Sequence, residues 1–138
     1  MDEKTKNIIY IEDDLEMIEL VTLIVKRRGY NIKGVHNGTK GFEIVKEELP
    51  DLILLDLMMP DIDGWDVFQQ LKASEQTANI PIIIITAKSQ VIDRVLGLHI
   101  AKADDYISKP FRPSELLDSI GKIFSQDTKP EAPSKTGS

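Results

Sequence analysis

The chain contains no cysteine, which excludes disulfides, thiolate metal sites and a cysteine nucleophile. Long apolar runs are missing too. Stretches such as Ile82 to Ile85 have strand length and fall far short of the roughly 20 residues that span a bilayer. The N-terminus, Met1-Asp2-Glu3-Lys4, starts in acids and has no apolar core of the signal-peptide kind. No glycine-rich loop follows the first apolar run, which argues against a nucleotide or flavin site. The two histidines, His36 and His99, stand at no ligand spacing. Positive charge is in deficit: the formal net charge of -6 opposes the attraction to phosphate backbones on which nucleic-acid binding rests. The expectation is a cytoplasmic domain that engages neither nucleic acid nor membrane.

What is present is a rhythm. The 138 residues fit one domain, and short apolar runs alternate with amphipathic stretches along most of them. Asn7 to Glu12 is β-branched and apolar, ending in acids. From Leu15 to Arg28 the apolar Met17, Ile18, Val21, Ile24 and Val25 recur at helical spacing. Gly29 follows as a stop. Tyr30 to Val35 reads as a strand and Thr39 to Leu49 as a helix closed by Pro50. Asp51 to Asp56 is a continuous apolar run ending in an acid, as a strand buried on both faces would be. Met58 to Gly64 is a loop before a helix with Val67, Phe68 and Leu71 on one side. Ile82 to Thr86 is the strongest strand, Val91 to about Ala101 a helix, and Asp105 to Ser108 a fifth strand. A last helix begins at Pro113 and carries Leu116, Leu117, Ile120, Ile123 and Phe124.

Five βα units in succession, with right-handed crossovers, give a doubly wound α/β fold: a five-stranded parallel sheet with five helices on its two faces. The apolar pattern stops after Phe124. Residues 1–124 therefore read as the folded domain, and 125–138, rich in Ser, Thr, Pro and Lys, as a flexible tail or linker.

Strands of a parallel sheet end at one edge, where ligands bind. The residues at those ends are Glu12 and Asp13, then Asp56, then Thr86, then Lys109. Two carboxylates ~4 Å apart repel by about 4 kcal/mol at an effective dielectric near 20. One ammonium cannot balance three carboxylates, so a divalent cation is expected. Oxygen-only ligands favour Mg²⁺ or Mn²⁺ over zinc. Such a site suits phosphoryl transfer, with a carboxylate as nucleophile. Each residue alone has a plainer reading: Asp13 or Asp14 could cap the next helix, Asp56 start a turn, Thr86 hold a loop, and Lys109 face solvent. Their company at one sheet edge favours the site.

These residues resemble the response-regulator receiver family from about Lys6 to Phe124. The resemblance rests on Ile8-Ile9-Tyr10-Ile11-Glu12-Asp13-Asp14, on Leu54-Leu55-Asp56-Leu57-Met58-Met59-Pro60 with Asp63-Gly64, on Ile85-Thr86-Ala87, and on Ala103-Asp104-Asp105-Tyr106-Ile107-Ser108-Lys109-Pro110-Phe111. It implies a flavodoxin-like sheet of strand order 2-1-3-4-5. It also implies Asp56 as phosphoacceptor, Asp13 as metal ligand, Glu12 acting through a metal-bound water, and the Met58 backbone carbonyl as a further ligand. Thr86 and Lys109 would hold phosphoryl oxygens, Tyr106 would be the aromatic switch, and Lys109-Pro110 would be cis. The implied partners are a sensor histidine kinase or phosphotransfer protein upstream and a protein target on the face built by the fourth helix, fifth strand and fifth helix. The implied role is a phosphoaccepting signalling module and not an enzyme in the ordinary sense.

One residue departs from the pattern. Family members commonly carry glycine after the fourth helix, where this chain has Lys102. Glycine suits a left-handed cap and lysine does not, so the helix is expected to end differently. The sequence Asp61-Ile62-Asp63-Gly64 also fits the start of another aspartyl-phosphate family, but Asp56 already holds the strand end. Trp65, beside that loop, reads as packing. Two other classes of function compete with this reading: an interaction module on the same fold that does not depend on phosphorylation, and a true metal-dependent phosphatase. Every expected site residue is present, against the first. The second would need a general base and a pocket-building insertion that the sequence does not show.

Overall fold

Each of the five apolar runs becomes a strand in the computed structural model, which describes residues 5–87 and 94–128. The strands are β1 (Asn7–Ile11), β2 (Asn31–Val35), β3 (Leu52–Leu55), β4 (Ile82–Thr86) and β5 (Asp105–Ser108). All neighbours pair in parallel, in the order β2-β1-β3-β4-β5. This is the flavodoxin-like arrangement expected of the chain.

Alternation along the strands explains how one sheet makes two cores, because successive side chains point to opposite faces. Ile9, Ile11, Ile53, Leu55, Ile82 and Ile84 go to one face with Val67 and Phe68, while Ile8, Leu52, Leu54, Ile83 and Ile85 go to the other with Val21 and Leu116. Burying a side chain of this size contributes roughly 1.5–3 kcal/mol, so a strand covered on both faces has no polar side.

The helices start where short polar side chains can cap them. In α1 (Leu15–Arg27), Asp14 accepts from the Glu16 and Met17 N–H groups at 3.0 and 3.3 Å. Gly29, at φ 95°, carries the chain out of it. Asn37 caps α2 (Gly38–Glu48) through Lys40 N–H at 3.1 Å, so the Asn37-Gly38 turn is a helix start. Asp63 caps α3 (Gly64–Ala73) through Trp65 N–H at 2.9 Å.

The fourth helix, α4, is described over Leu96–Ile100, which is wound as a π-helix. The first residues of the stretch expected to be helical, 91–93, and the side chain of His99 lie outside those described. The expectation that lysine would redirect the helix end is corrected. Lys102 itself takes the left-handed conformation at φ 68°. The backbone there is fixed by Ala101 N–H to Leu96 O and Ala103 N–H to Gly97 O, both at 2.6 Å. The last helix, α5 (Pro113–Thr128), runs past Phe124. Its apolar stripe ends where the sequence pattern ends, but backbone hydrogen bonding continues beyond the last buried residue.

Candidate functional site at the carboxyl edge of the sheet

The register of the strands delivers the site residues. Ile11, Leu55 and Ile84 lie side by side across β1, β3 and β4. The chain then leaves the sheet, and the next residues are Glu12 and Asp56, with Thr86 closing β4. Backbone bonds hold them there: Asp56 N–H donates to Ile11 O at 3.0 Å, and Glu12 N–H to Val35 O at 3.0 Å. From the far side, Lys109 N–H donates to Thr86 O at 2.9 Å, so the end of β4 positions the lysine. The Lys109-Pro110 peptide bond is cis.

The carboxylates converge. Oxygen atoms of Glu12, Asp13 and Asp56 lie within 4.8 Å of one another. Asp14, which spends its carboxylate on the α1 cap, is not among them. Glu12 and Asp56 are nearly inaccessible, at 1% and 3% exposure, and Asp13 is half-buried. Lys109 reaches in with its Nζ 2.6 Å from Glu12 Oε1 and 3.5 Å from Asp56 Oδ2.

Burial pushes the Glu12 carboxyl up to about 7, even though Lys109 and Tyr10 both donate to it. Burial alone would lower Lys109, but the two carboxylates outweigh it and hold its pKa above the ordinary lysine value. Three acids around one ammonium thus remain short of positive charge. An all-oxygen donor set of that size fits a hard divalent cation.

The other expected residues fall as follows. Thr86 is buried at the end of β4, in register with Ser108. Met58 donates its N–H to Asp56 Oδ1 at 3.2 Å, so its backbone abuts the carboxylate while its side chain stays exposed. Tyr106 is buried at 1% exposure, with the Arg94 guanidinium 5.9 Å from its ring centroid. The loop after Asp56 closes tightly: Gly64 N–H donates to Leu57 O at 2.9 Å, and a Cβ at Gly64 would lie 2.5 Å from Asp56 O.

The second Asp-x-Asp-Gly reading dissolves in the structure. Asp61 accepts from Thr39 N–H and Oγ1 at 2.8 and 2.7 Å, bonds that hold its carboxyl below the ordinary aspartate value. Asp63 caps α3. Trp65 packs edge-on against Phe68, with centroids 5.6 Å apart.

Sequence reasoning missed Tyr10. Its ring is fully buried on β1, and its hydroxyl donates to Glu12 Oε1 at 2.7 Å. The signal was a single phenol among aliphatic residues, since a buried Tyr hydroxyl requires an acceptor.

This sheet edge, with its acids, hydroxyl and lysine, defines a receiver domain. The chain belongs to the response regulator receiver family, whose model matches residues 8–121, the signalling domains of two-component systems. Among its relatives, the DNA-binding response regulator MtrA of Mycobacterium tuberculosis is 37% identical over 131 residues, covering 94% of this chain and 56% of that protein. The DNA-binding dual master transcriptional regulator RpaA of Synechocystis is 37% identical over 126 residues, covering 91% and 52%. This chain therefore spans about half the length of these relatives.

Solved structures agree on the fold. The receiver domain of a signal transduction histidine kinase from Syntrophus aciditrophicus superposes with a TM-score of 0.81 at 28% identity, covering 96% of this chain and 100% of that one. That of a sensor histidine kinase from Pseudomonas aeruginosa, with a magnesium ion coordinated in its active-site cleft, gives 0.79 at 26%, covering 88% and 99%.

Proposed function

We propose that this domain accepts a phosphoryl group on Asp56 from a histidine kinase or phosphotransfer protein, and that the acyl phosphate switches its output surface. The observation that carries the reading is Lys109, whose ammonium lies between Glu12 and Asp56 at the end of the central strands. An Asp56 oxygen attacks phosphorus, and the bond from phosphorus to the donor nitrogen or oxygen breaks. The donor leaves with the electron pair. Lys109 neutralises the charge gathering on the phosphoryl oxygens.

Mg²⁺, or Mn²⁺ in its place, would be held by Asp13, Asp56 and the Met58 carbonyl with Glu12 at one remove, and would supply the remaining positive charge. Thr86 would hold a phosphoryl oxygen, and Tyr106, already buried, would fill the space its movement leaves. The shift reaches the face of α4, β5 and α5, where a protein target binds. Chemistry at the site is limited to accepting the group and to slow hydrolysis of the acyl phosphate, so the domain is a signalling module and not an enzyme.

MtrA and RpaA are named as DNA-binding, and this chain matches about half of each. With a net charge of -6, we assign no nucleic-acid contact to this domain, nor a membrane one, and place it in the cytoplasm. We propose that residues 1–124 make up the receiver unit and that 125–138 serves as a tail or linker, its first residues continuing α5 to Thr128.

Intact-mass measurement after incubation with acetyl phosphate tests this. The protein gains one phosphoryl group only with Mg²⁺ present, and Asp56→Asn gains none. No gain in the unaltered protein would overturn the reading in favour of a module that works by interaction alone.

A further inference from the structure

Glu12 is a buried carboxylate with both oxygens engaged by the chain. Oε1 accepts from Tyr10 Oη at 2.7 Å and from Lys109 Nζ at 2.6 Å, while Oε2 accepts from Asp14 N–H at 3.2 Å. Tyr10, on β1, stands two residues before Glu12, which directly follows the strand, and its side chain reaches the Glu12 carboxylate. A rigid phenol therefore delivers its hydroxyl to one fixed point. The same oxygen is held by a flexible lysine whose ammonium is already 3.5 Å from Asp56.

A donor shared in this way has a consequence when the lysine moves. If Lys109 turned wholly toward an anion on Asp56, Glu12 would lose a charged donor while still buried. Taking a charged donor from a buried carboxylate is disfavoured, so the lysine would be held back. With Tyr10 in place, Oε1 keeps a hydrogen bond throughout. If the residue served only to fill the core, phenylalanine would fill the same space, and the hydroxyl would do nothing.

We infer that Tyr10 is a positioning residue of the phosphoacceptor site, whose hydroxyl keeps Glu12 satisfied so that Lys109 can leave it for the phosphoryl group on Asp56. This rests on the phosphoacceptor reading above. The hydroxyl thereby acts on the rate of phosphorylation through Lys109, and leaves cation binding largely alone.

The test compares the unaltered protein with Tyr10→Phe, which keeps the ring. Phosphorylation by acetyl phosphate at saturating Mg²⁺ is followed by intact mass, and Mg²⁺ affinity separately by the fluorescence of Trp65, the only tryptophan of the chain. The expected result is phosphorylation slowed about tenfold, the size of one hydrogen bond to a charged group, with Mg²⁺ affinity changed less than about threefold. In a Lys109→Met background, Tyr10→Phe should slow the reaction no further, because no lysine remains to be released. Equal rates for the unaltered and Tyr10→Phe proteins would overturn the inference. So would a loss of Mg²⁺ affinity in step with the rate, or an undiminished effect in the Lys109→Met background. Failure of the unaltered protein to take up any phosphoryl group would instead sink the underlying reading, and is seen before the variants are compared.

Discussion

Lys102 adopts φ 68° without glycine's freedom to do so. For a residue with a Cβ, that conformation costs roughly 1–2 kcal/mol against the right-handed one. Hydrogen bonds on either side, from Ala101 and Ala103 back into α4, hold the chain in place. Lys102→Gly should therefore stabilise the domain by about 1 kcal/mol, read as a higher urea midpoint with unchanged slope. A lower midpoint would mean that the lysine side chain makes contacts worth more than the backbone loses. The case shows a limit of reading by residue type. The position was recognisable from Ala101-Lys102-Ala103-Asp104, but the backbone followed the fold and not the preference of its side chain.

At the scale of the element, two glycines in helices predict opposite outcomes. A Cβ at Gly64 would lie 2.3 Å from Leu57 Cα, a backbone atom that cannot turn aside, whereas nothing lies within 4 Å of one at Gly121 in α5. Gly64→Ala should destabilise by about 3 kcal/mol and disturb the loop that follows Asp56. Gly121→Ala should stabilise by roughly 0.5–1 kcal/mol, since alanine restricts the unfolded chain and favours the helix. Paired thermal melts check both signs at once.

Strands were the most legible elements. Ile8 to Ile11, Leu52 to Leu55 and Ile82 to Ile85 are apolar without interruption because both faces of the sheet are covered. The π-winding of Leu96–Ile100 was not legible. It reflects how α4 closes on its neighbours, with Gly97 against Tyr106 and Trp65, and no periodicity in the residues announces it. The acids, the hydroxyl and the lysine could be located from strand ends alone. The role of Tyr10 could not, because it depends on which oxygen of Glu12 its hydroxyl meets.

For the whole molecule, the acidic cluster should make stability depend on divalent cation. A ligand that binds only the folded state stabilises by about 2.7 kcal/mol at one hundred times its Kd. In a domain of this size that raises Tm by roughly 5–10 °C. Differential scanning fluorimetry with rising Mg²⁺ should show this for the unaltered protein and much less of it for Asp13→Asn. A Tm indifferent to Mg²⁺ would mean that the cluster does not hold the ion.

The bond between Lys109 and Glu12 joins residues 97 positions apart. β1 and β3 bring Glu12, Asp13 and Asp56 together, but the ammonium arrives only when β5 docks on β4 at the sheet's edge. The site therefore cannot be assembled by any fragment that lacks the fifth strand. During synthesis from the ribosome, the acids emerge early and stay uncompensated until nearly the whole domain has been made. On the proposed phosphoacceptor reading, competence to receive a signal is in this sense a certificate of complete folding: a chain cut or stalled before residue 109 carries Asp56 yet lacks Lys109.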